Sequence, residues 1–126
     1  MEIKEVANRL VELCREGKYT QAHQELYSPN VVSLEPEGTP NQRVEGMEGL
    51  AQRTAAMQGM IKELHGGYTT DPIIAGNKFS VGMGMDVTMH NDMRVNMEEI
   101  CVYTVKDGKI IKEEFMYDVM PQEAHA

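Results

Sequence analysis

The sequence predicts an α+β domain in which three N-terminal helices are followed by a curved antiparallel sheet. Apolar residues recur at helical spacing through the first half, the pattern changes to alternation from Tyr68, and a long later strand carries Gly82 and Gly84. Glycines inside a strand permit the bulges and bends by which a sheet wraps around helices.

The first helix is marked by Ile3, Val6, Ala7, Leu10, Leu13 and Cys14 on one face, with Glu2, Glu5, Asn8, Arg9, Glu12 and Glu16 mostly opposite. Gly17 supplies a left-handed stop. Tyr19, Ala22, His23, Leu26 and Tyr27 form the stripe of a second short helix that ends before Pro29. The β-branched run Val31-Val32-Ser33-Leu34-Glu35 predicts a strand that Pro36 stops, and Glu37 to Glu45, aperiodic with Gly38, Pro40 and Asn41, predicts a loop able to act as a lid. From Gly46, the residues Met47, Leu50, Ala51, Thr54, Met57, Ile61 and Leu64 predict a long third helix ending at Gly66-Gly67, with Arg53 outside. Four strands are expected after it: Tyr68 to Ile74, Lys78 to Met89, Val95 to Val105 and Lys109 to Val119. They are separated by Ala75-Gly76-Asn77, His90-Asn91-Asp92 and Lys106-Asp107-Gly108, the last with the positive φ angles that a tight hairpin demands.

The 126 residues are 41% apolar and 25% charged, which predicts a single domain over residues 1–120 and a patternless, mobile tail at 121–126. Twelve Lys and Arg against twenty Asp and Glu give a net charge of −8, a field that repels phosphates and argues against nucleic acid and anionic membranes as partners. No apolar run reaches the roughly 18 residues of a membrane span. The start Met1-Glu2-Ile3-Lys4-Glu5 lacks a secretory layout, and a cytoplasmic location is expected. Cys14 and Cys101 have no metal-type spacing and read as small buried apolar residues. No histidine and carboxylate spacing suggests a metal, and no phosphate loop or serine-nucleophile motif is present, so neither a metal nor a cofactor is expected. Eleven methionines and no tryptophan suit either an irregular cavity or a loosely specified core.

Three segments carry a family likeness: Leu26-Tyr27-Ser28-Pro29-Asn30-Val31-Val32-Ser33-Leu34-Glu35-Pro36, the helix start Val44-Glu45-Gly46-Met47-Glu48-Gly49-Leu50, and Val105-Lys106-Asp107-Gly108-Lys109-Ile110-Ile111. With the order of helices and strands, they resemble the nuclear-transport-factor-2-like superfamily and its SnoaL-like branch, over about Val6 to Val119. The resemblance implies a cystatin-like α+β roll: a cone-shaped sheet around three helices, a small apolar ligand in its mouth, and a homodimer through the convex sheet face. Isomerases, dehydratases, cyclases, hydrolases and non-catalytic proteins share this fold, so activity must be argued from residues.

Ketosteroid isomerases of this fold use a carboxylate before a proline as general base, and Glu35-Pro36 is similar to that pair. A carboxyl desolvated in an apolar cone has a raised pKa suited to moving protons near neutrality; the plain alternative is a solvated glutamate at a strand end. The two oxyanion donors of those isomerases align with Leu10 and Cys101, neither an adequate donor, which argues against steroid isomerisation of that type. If Cys101 faces inward, alternation turns Glu99 and Tyr103 inward too. On the last strand Ile111, Glu113, Phe115 and Tyr117 form the inner set, with Glu113 about where SnoaL-like cyclases carry a histidine. Glu99 and Glu113 are candidate acid/base groups or, more plainly, partners of a cation. His65, expected at the end of the third helix, either caps it or lines the mouth, and Asp86 points inward only if a bulge resets its strand.

These readings converge on a small-molecule pocket protein: a cofactor-independent enzyme in which the carboxylates Glu35, Glu99 and Glu113 transfer a proton on a small apolar carbonyl substrate, by isomerisation, dehydration or cyclisation. Leu10, His65, Cys101, Phe115 and Tyr117 are the expected substrate contacts. Non-catalytic capture of a hydrophobic metabolite and a dimeric protein-interaction module are the competing expectations.

Overall fold

The computed structural model describes residues 1–119, so the tail expected at 121–126 lies outside the described residues. Helix α1 (Ile3–Arg15) starts at a reciprocal capping box in which the Glu2 N–H donates to the Glu5 carboxylate at 3.0 Å. It ends at Gly17, whose φ of 72° lets the Gly17 N–H reach the Cys14 carbonyl at 3.0 Å and the Lys18 N–H reach that of Leu13 at 2.9 Å. Val6, Ala7, Leu10, Val11, Leu13 and Cys14 of α1 are buried, each larger side chain contributing roughly 1.5–3 kcal/mol. Helix α2 (Tyr19–Leu26) buries Ala22 and Leu26.

The chain passes from α2 directly into strand β1 (Tyr27–Leu34), earlier than the expected start at Val31. Pro29 lies in this first part, and the register against the neighbouring strand shifts between Tyr27 and Val32. Beyond β1 the Glu35 N–H donates to the Gln42 carbonyl at 2.7 Å, closing the neck of the expected lid loop. The loop's far end forms a short strand β2 (Arg43–Glu45) that pairs with β1.

Helix α3 (Gly46–Met60) is shorter than expected: Ile61–Thr69 forms strand β3 instead of completing the helix. Ile61 and Leu64 continue the helical spacing, yet the ladder to the neighbouring long strand decides the conformation. His65 is therefore a strand residue and caps no helix. The remaining strands are β4 (Ile73–Ala75), β5 (Lys78–Met89), β6 (Arg94–Lys106) and β7 (Lys109–Met116).

The sheet runs β2-β1-β7-β6-β5-β3, with β4 also on β5. It is antiparallel except where β1 lies parallel to β7, a mixed pairing that an all-antiparallel expectation omits. That one parallel contact brings the two ends of the fold together, with Ser33 opposite Glu113. Phe79, Val81 and Val87 of β5 and Cys101, Tyr103 and Val105 of β6 are buried, and the Phe79 and Tyr103 rings stack at 4.8 Å. The register of β6 on β7 shifts after Thr104, so Ile110 rather than Ile111 becomes the fully buried residue near the hairpin.

On the outer face Tyr68 lies over Gly84, where any Cβ would collide with the ring, and its hydroxyl donates to Glu98 at 2.6 Å. Ile100 and Met116 on the same face are exposed. Among the described residues no helix is long and apolar enough to cross a membrane.

Candidate functional site

Alternation along β1 puts Val31, Ser33 and Glu35 on one side, and Glu35 follows the strand's last residue. The carboxylate of Glu35 is not solvated at a strand end: its side chain is 14% exposed, and its Oε2 atom is buried without a hydrogen-bond partner. Its Oε1 atom stands 3.8 Å from Nε of Arg53, whose side chain is also largely buried. Burial raises the Glu35 pKa, while Arg53 and the nearby Tyr117 hydroxyl offset part of that rise.

Glu113 is enclosed, with a side chain 2% exposed. The Tyr27 hydroxyl donates to its Oε2 and the Ser33 hydroxyl donates to its Oε1 at 2.8 Å. Arg53 donates to the Ser33 hydroxyl and, at 3.4 Å, to the Ser33 carbonyl, while its Nη2 stands 3.9 Å from Glu113 Oε1. The Arg53 guanidinium also lies over the Phe115 ring, 5.8 Å from the centroid. Burial pushes the Glu113 carboxyl upward, opposed by the bonds from Tyr27 and Ser33 and by Arg53.

Glu99, in β6 opposite Met83, is half-buried and shares the alternation of Cys101 and Tyr103. Desolvation and the neighbouring Glu35 charge push its pKa up to about 7, and its Oε1 is 3.6 Å from the Cys101 thiol. One guanidinium at 3.8 Å from a carboxylate offers about 4 kcal/mol at an effective dielectric near 20. Desolvating an ion costs several kcal/mol. Glu113 is buried and Glu35 and Glu99 are half-buried around the single Arg53 cation, and Glu99, raised to about 7, is the carboxyl of the three that most readily keeps a proton near neutrality. His23, beside Tyr27 with ring centroids 4.7 Å apart, has its pKa lowered to about 4 by burial and by Arg53, and stays neutral.

The structure thus brings together Glu35, Glu99, Glu113, Cys101, Phe115 and Tyr117 from the sequence-derived set. Leu10 is a core residue of α1, 1% exposed. His65 is elsewhere: on β3 its Nε2 meets the Thr88 hydroxyl at 2.6 Å. Asp86 does not enter the cluster and is held by Arg94 at 2.8 and 3.0 Å. Both cysteines are free and buried. Arg53, Ser33 and Tyr27 escaped the sequence reading. Arg53 was expected outside α3, although it stands three residues after Leu50, the one buried residue of that helix, and so shares its face. Among the described residues no group of three or more His, Cys, Asp and Glu could hold a metal ion.

A family model described as a SnoaL-like domain matches residues 1–117. The chain belongs to the SnoaL-like domain family. Among solved structures, this SnoaL-like chain is 34% identical to a Mesorhizobium loti protein proposed to be a SnoaL-like polyketide cyclase, with a TM-score of 0.87, covering 93% of this chain and 100% of that one. TerC, co-crystallised with polyporic acid, shares the fold at 18% identity and a TM-score of 0.74, over 90% of this chain and 89% of TerC. A proposed isomerase from Bacillus subtilis does so at 19% and 0.70, over 94% and 90%. A search of curated proteins finds no significant match. The SnoaL-like fold is of the cystatin and nuclear-transport-factor-2-like type, as the sequence resemblance implied.

Proposed function

We propose that this SnoaL-like domain is a cofactor-independent enzyme that moves a proton beside the carbonyl of a small, largely apolar molecule, with Glu35 as the base. The observation that carries the reading is the buried Glu35 Oε2 atom with no hydrogen-bond partner. A buried acceptor left open costs about 1–3 kcal/mol, so a group that fills it gains by doing so. Both Glu113 oxygens are already engaged, which makes Glu113 a supporting group. Glu99, with its pKa near 7, serves as the protonated partner that returns a proton. The pairing of a raised acid with a base beside a cation suits isomerisation, dehydration or aldol-type cyclisation. TerC, of the same fold, was co-crystallised with a small molecule, polyporic acid, which supports the small-molecule class of ligand.

The test is hydrogen exchange in deuterium oxide. A panel of cyclic ketones and 1,3-diketones is incubated with the protein, and deuterium uptake beside the carbonyl is followed by NMR. Wild type accelerates uptake for at least one member, and Glu35→Gln abolishes the acceleration while leaving thermal stability equal or higher. Uptake retained by Glu35→Gln removes Glu35 from the mechanism. No acceleration anywhere, with an apolar ligand found by native mass spectrometry, favours the binding-module reading instead.

We also infer a homodimer through the outer sheet face. Tyr68, Ile100 and Met116 are about half exposed there, at 50%, 56% and 49%. They border a depression of about 340 Å³ that Thr70, Glu98, Glu99, Tyr117 and Asp118 also line, and large apolar side chains half-exposed together on a sheet face form a surface that a second copy can cover.

A further inference from the structure

Arg53 is a largely buried guanidinium with more donors than acceptors. It has five N–H groups, and its two hydrogen bonds both go to Ser33. Its Nε faces Glu35 Oε1 at 3.8 Å, too long for a hydrogen bond, and the other Glu35 oxygen has no partner. A base and a donor set thus stand side by side, each incompletely satisfied. A molecule offering an acceptor to Arg53 and an acidic hydrogen to Glu35 satisfies both.

We propose that Arg53 is the oxyanion-binding residue of the site, positioned by Ser33 and the Glu113–Tyr27 pair, and that the ligands are carbonyl compounds bound as their enolates. This inference rests on Glu35 acting as base and assigns the part of the site that stabilises the charge this base creates. In the step, the Glu35 carboxylate, 14% exposed as a side chain, takes a hydrogen beside the carbonyl as a proton. The C–H electron pair becomes the C=C bond, and the carbonyl π pair moves onto oxygen, where Arg53 donates to it. Reprotonation at carbon reverses these movements, so no oxidant or other reactant is consumed.

The surroundings fit that role. Ser33 holds the guanidinium by its hydroxyl and carbonyl, and Ser33 is in turn anchored to Glu113, itself fixed by Tyr27. Phe115 backs the guanidinium plane. Such a fixed donor needs no reorganisation when charge develops, the condition under which oxyanion stabilisation is strong. Glu113 is accordingly a positioning residue. The donors absent at Leu10 and Cys101 are replaced from a different element, α3, which is why comparison along α1 and β6 alone finds none.

The probe is 4-nitrophenol, a phenol whose ionised form mimics an enolate and is read by its visible absorbance. The wild-type protein binds it as the phenolate and lowers its apparent pKa. Arg53→Gln weakens phenolate binding tenfold or more and abolishes the pKa shift. Arg53→Lys, which keeps the charge but loses the planar fork, and Ser33→Ala, which frees the guanidinium, each weaken it severalfold while circular dichroism remains native; these two decide the matter if Arg53→Gln fails to fold. Glu35→Gln binds the phenolate at least as tightly as wild type, because a neighbouring negative charge is gone, although it has lost deuterium exchange. Unchanged phenolate affinity in the folded Arg53 and Ser33 variants, or a wild-type protein that does not bind the phenolate, overturns the assignment of Arg53. Exchange retained by Glu35→Gln overturns the base and leaves the phenolate measurements on Arg53 standing, so the two failures are distinguishable.

Discussion

Ser33 and Glu113, 80 positions apart in the chain, face one another across the parallel β1 and β7 strands and share a 2.8 Å hydrogen bond. A local contact in space therefore depends on the longest-range pairing in the sheet. It joins the strand that leads into Glu35 to the buried Glu113.

That dependence makes Glu113 more important for stability than a surface acid. Glu113→Ala leaves the Tyr27 and Ser33 hydroxyls without their common acceptor and takes from Arg53 a counter-charge 3.9 Å away, an expected loss of about 3–5 kcal/mol. Glu113→Gln retains one acceptor oxygen and removes a buried charge, so its loss is at most about half as large. Chemical denaturation followed by circular dichroism measures both. Equal losses in the two variants would show that the space matters and the hydrogen bonds do not.

Stability also varies with pH in a direction set by the cluster. The folded-state pKa of Glu99 is about 7 against an ordinary 4.5, so the folded chain holds this proton more tightly than the unfolded chain. Its contribution is full below pH 4.5 and is lost as pH rises to about 7, a limb of up to about 3 kcal/mol. Glu35, Cys101, Glu113 and Arg53 are the groups that face it. Glu35 and Glu113, both raised, act in the same direction. His23 opposes them: with a pKa lowered from 6.5 to about 4, its contribution is present above 6.5 and lost as pH falls towards 4. Glu99→Gln should flatten the loss between pH 4.5 and 7 in thermal melts; an unaltered slope would place the titration elsewhere.

The outer face gives a prediction about assembly. Sedimentation of wild type should report a dimer, and Ile100→Glu combined with Met116→Glu should report a monomer with native circular dichroism. A charge at exposed Met57 on α3 serves as the control and leaves the dimer intact. A monomeric wild type, or a dimer indifferent to the paired charges, rules out this face.

Most of the architecture is legible in the sequence because periodicity is a local property. The α1 stripe, the Gly17 stop and the Asp107-Gly108 turn with φ of 52° and 77° are local in this way, whereas the inner face of β6, with Cys101 and Tyr103 buried, needed the family resemblance to set the phase of the alternation. The errors fall where a distant partner decides. Ile61 and Leu64 keep helical spacing yet pair with Met89 and Val87 of β5, and nothing near β1 announces a parallel neighbour more than 70 residues on. Arg53 is the instructive miss in the site. A cation on an amphipathic helix is ordinarily solvated, and only the convergence of Glu35 and Glu113 from two other strands gives it a reason to turn inward.

The clasp between Glu35 and Gln42 has a consequence for how such a site diversifies. Because the 2.7 Å bond and the adjoining β1–β2 ladder fasten both ends of the intervening segment, residues 36–41 form a detachable crown on a fixed collar. Crowns of other lengths and chemistries can be exchanged there while the strand pairing that carries Glu35 keeps its station.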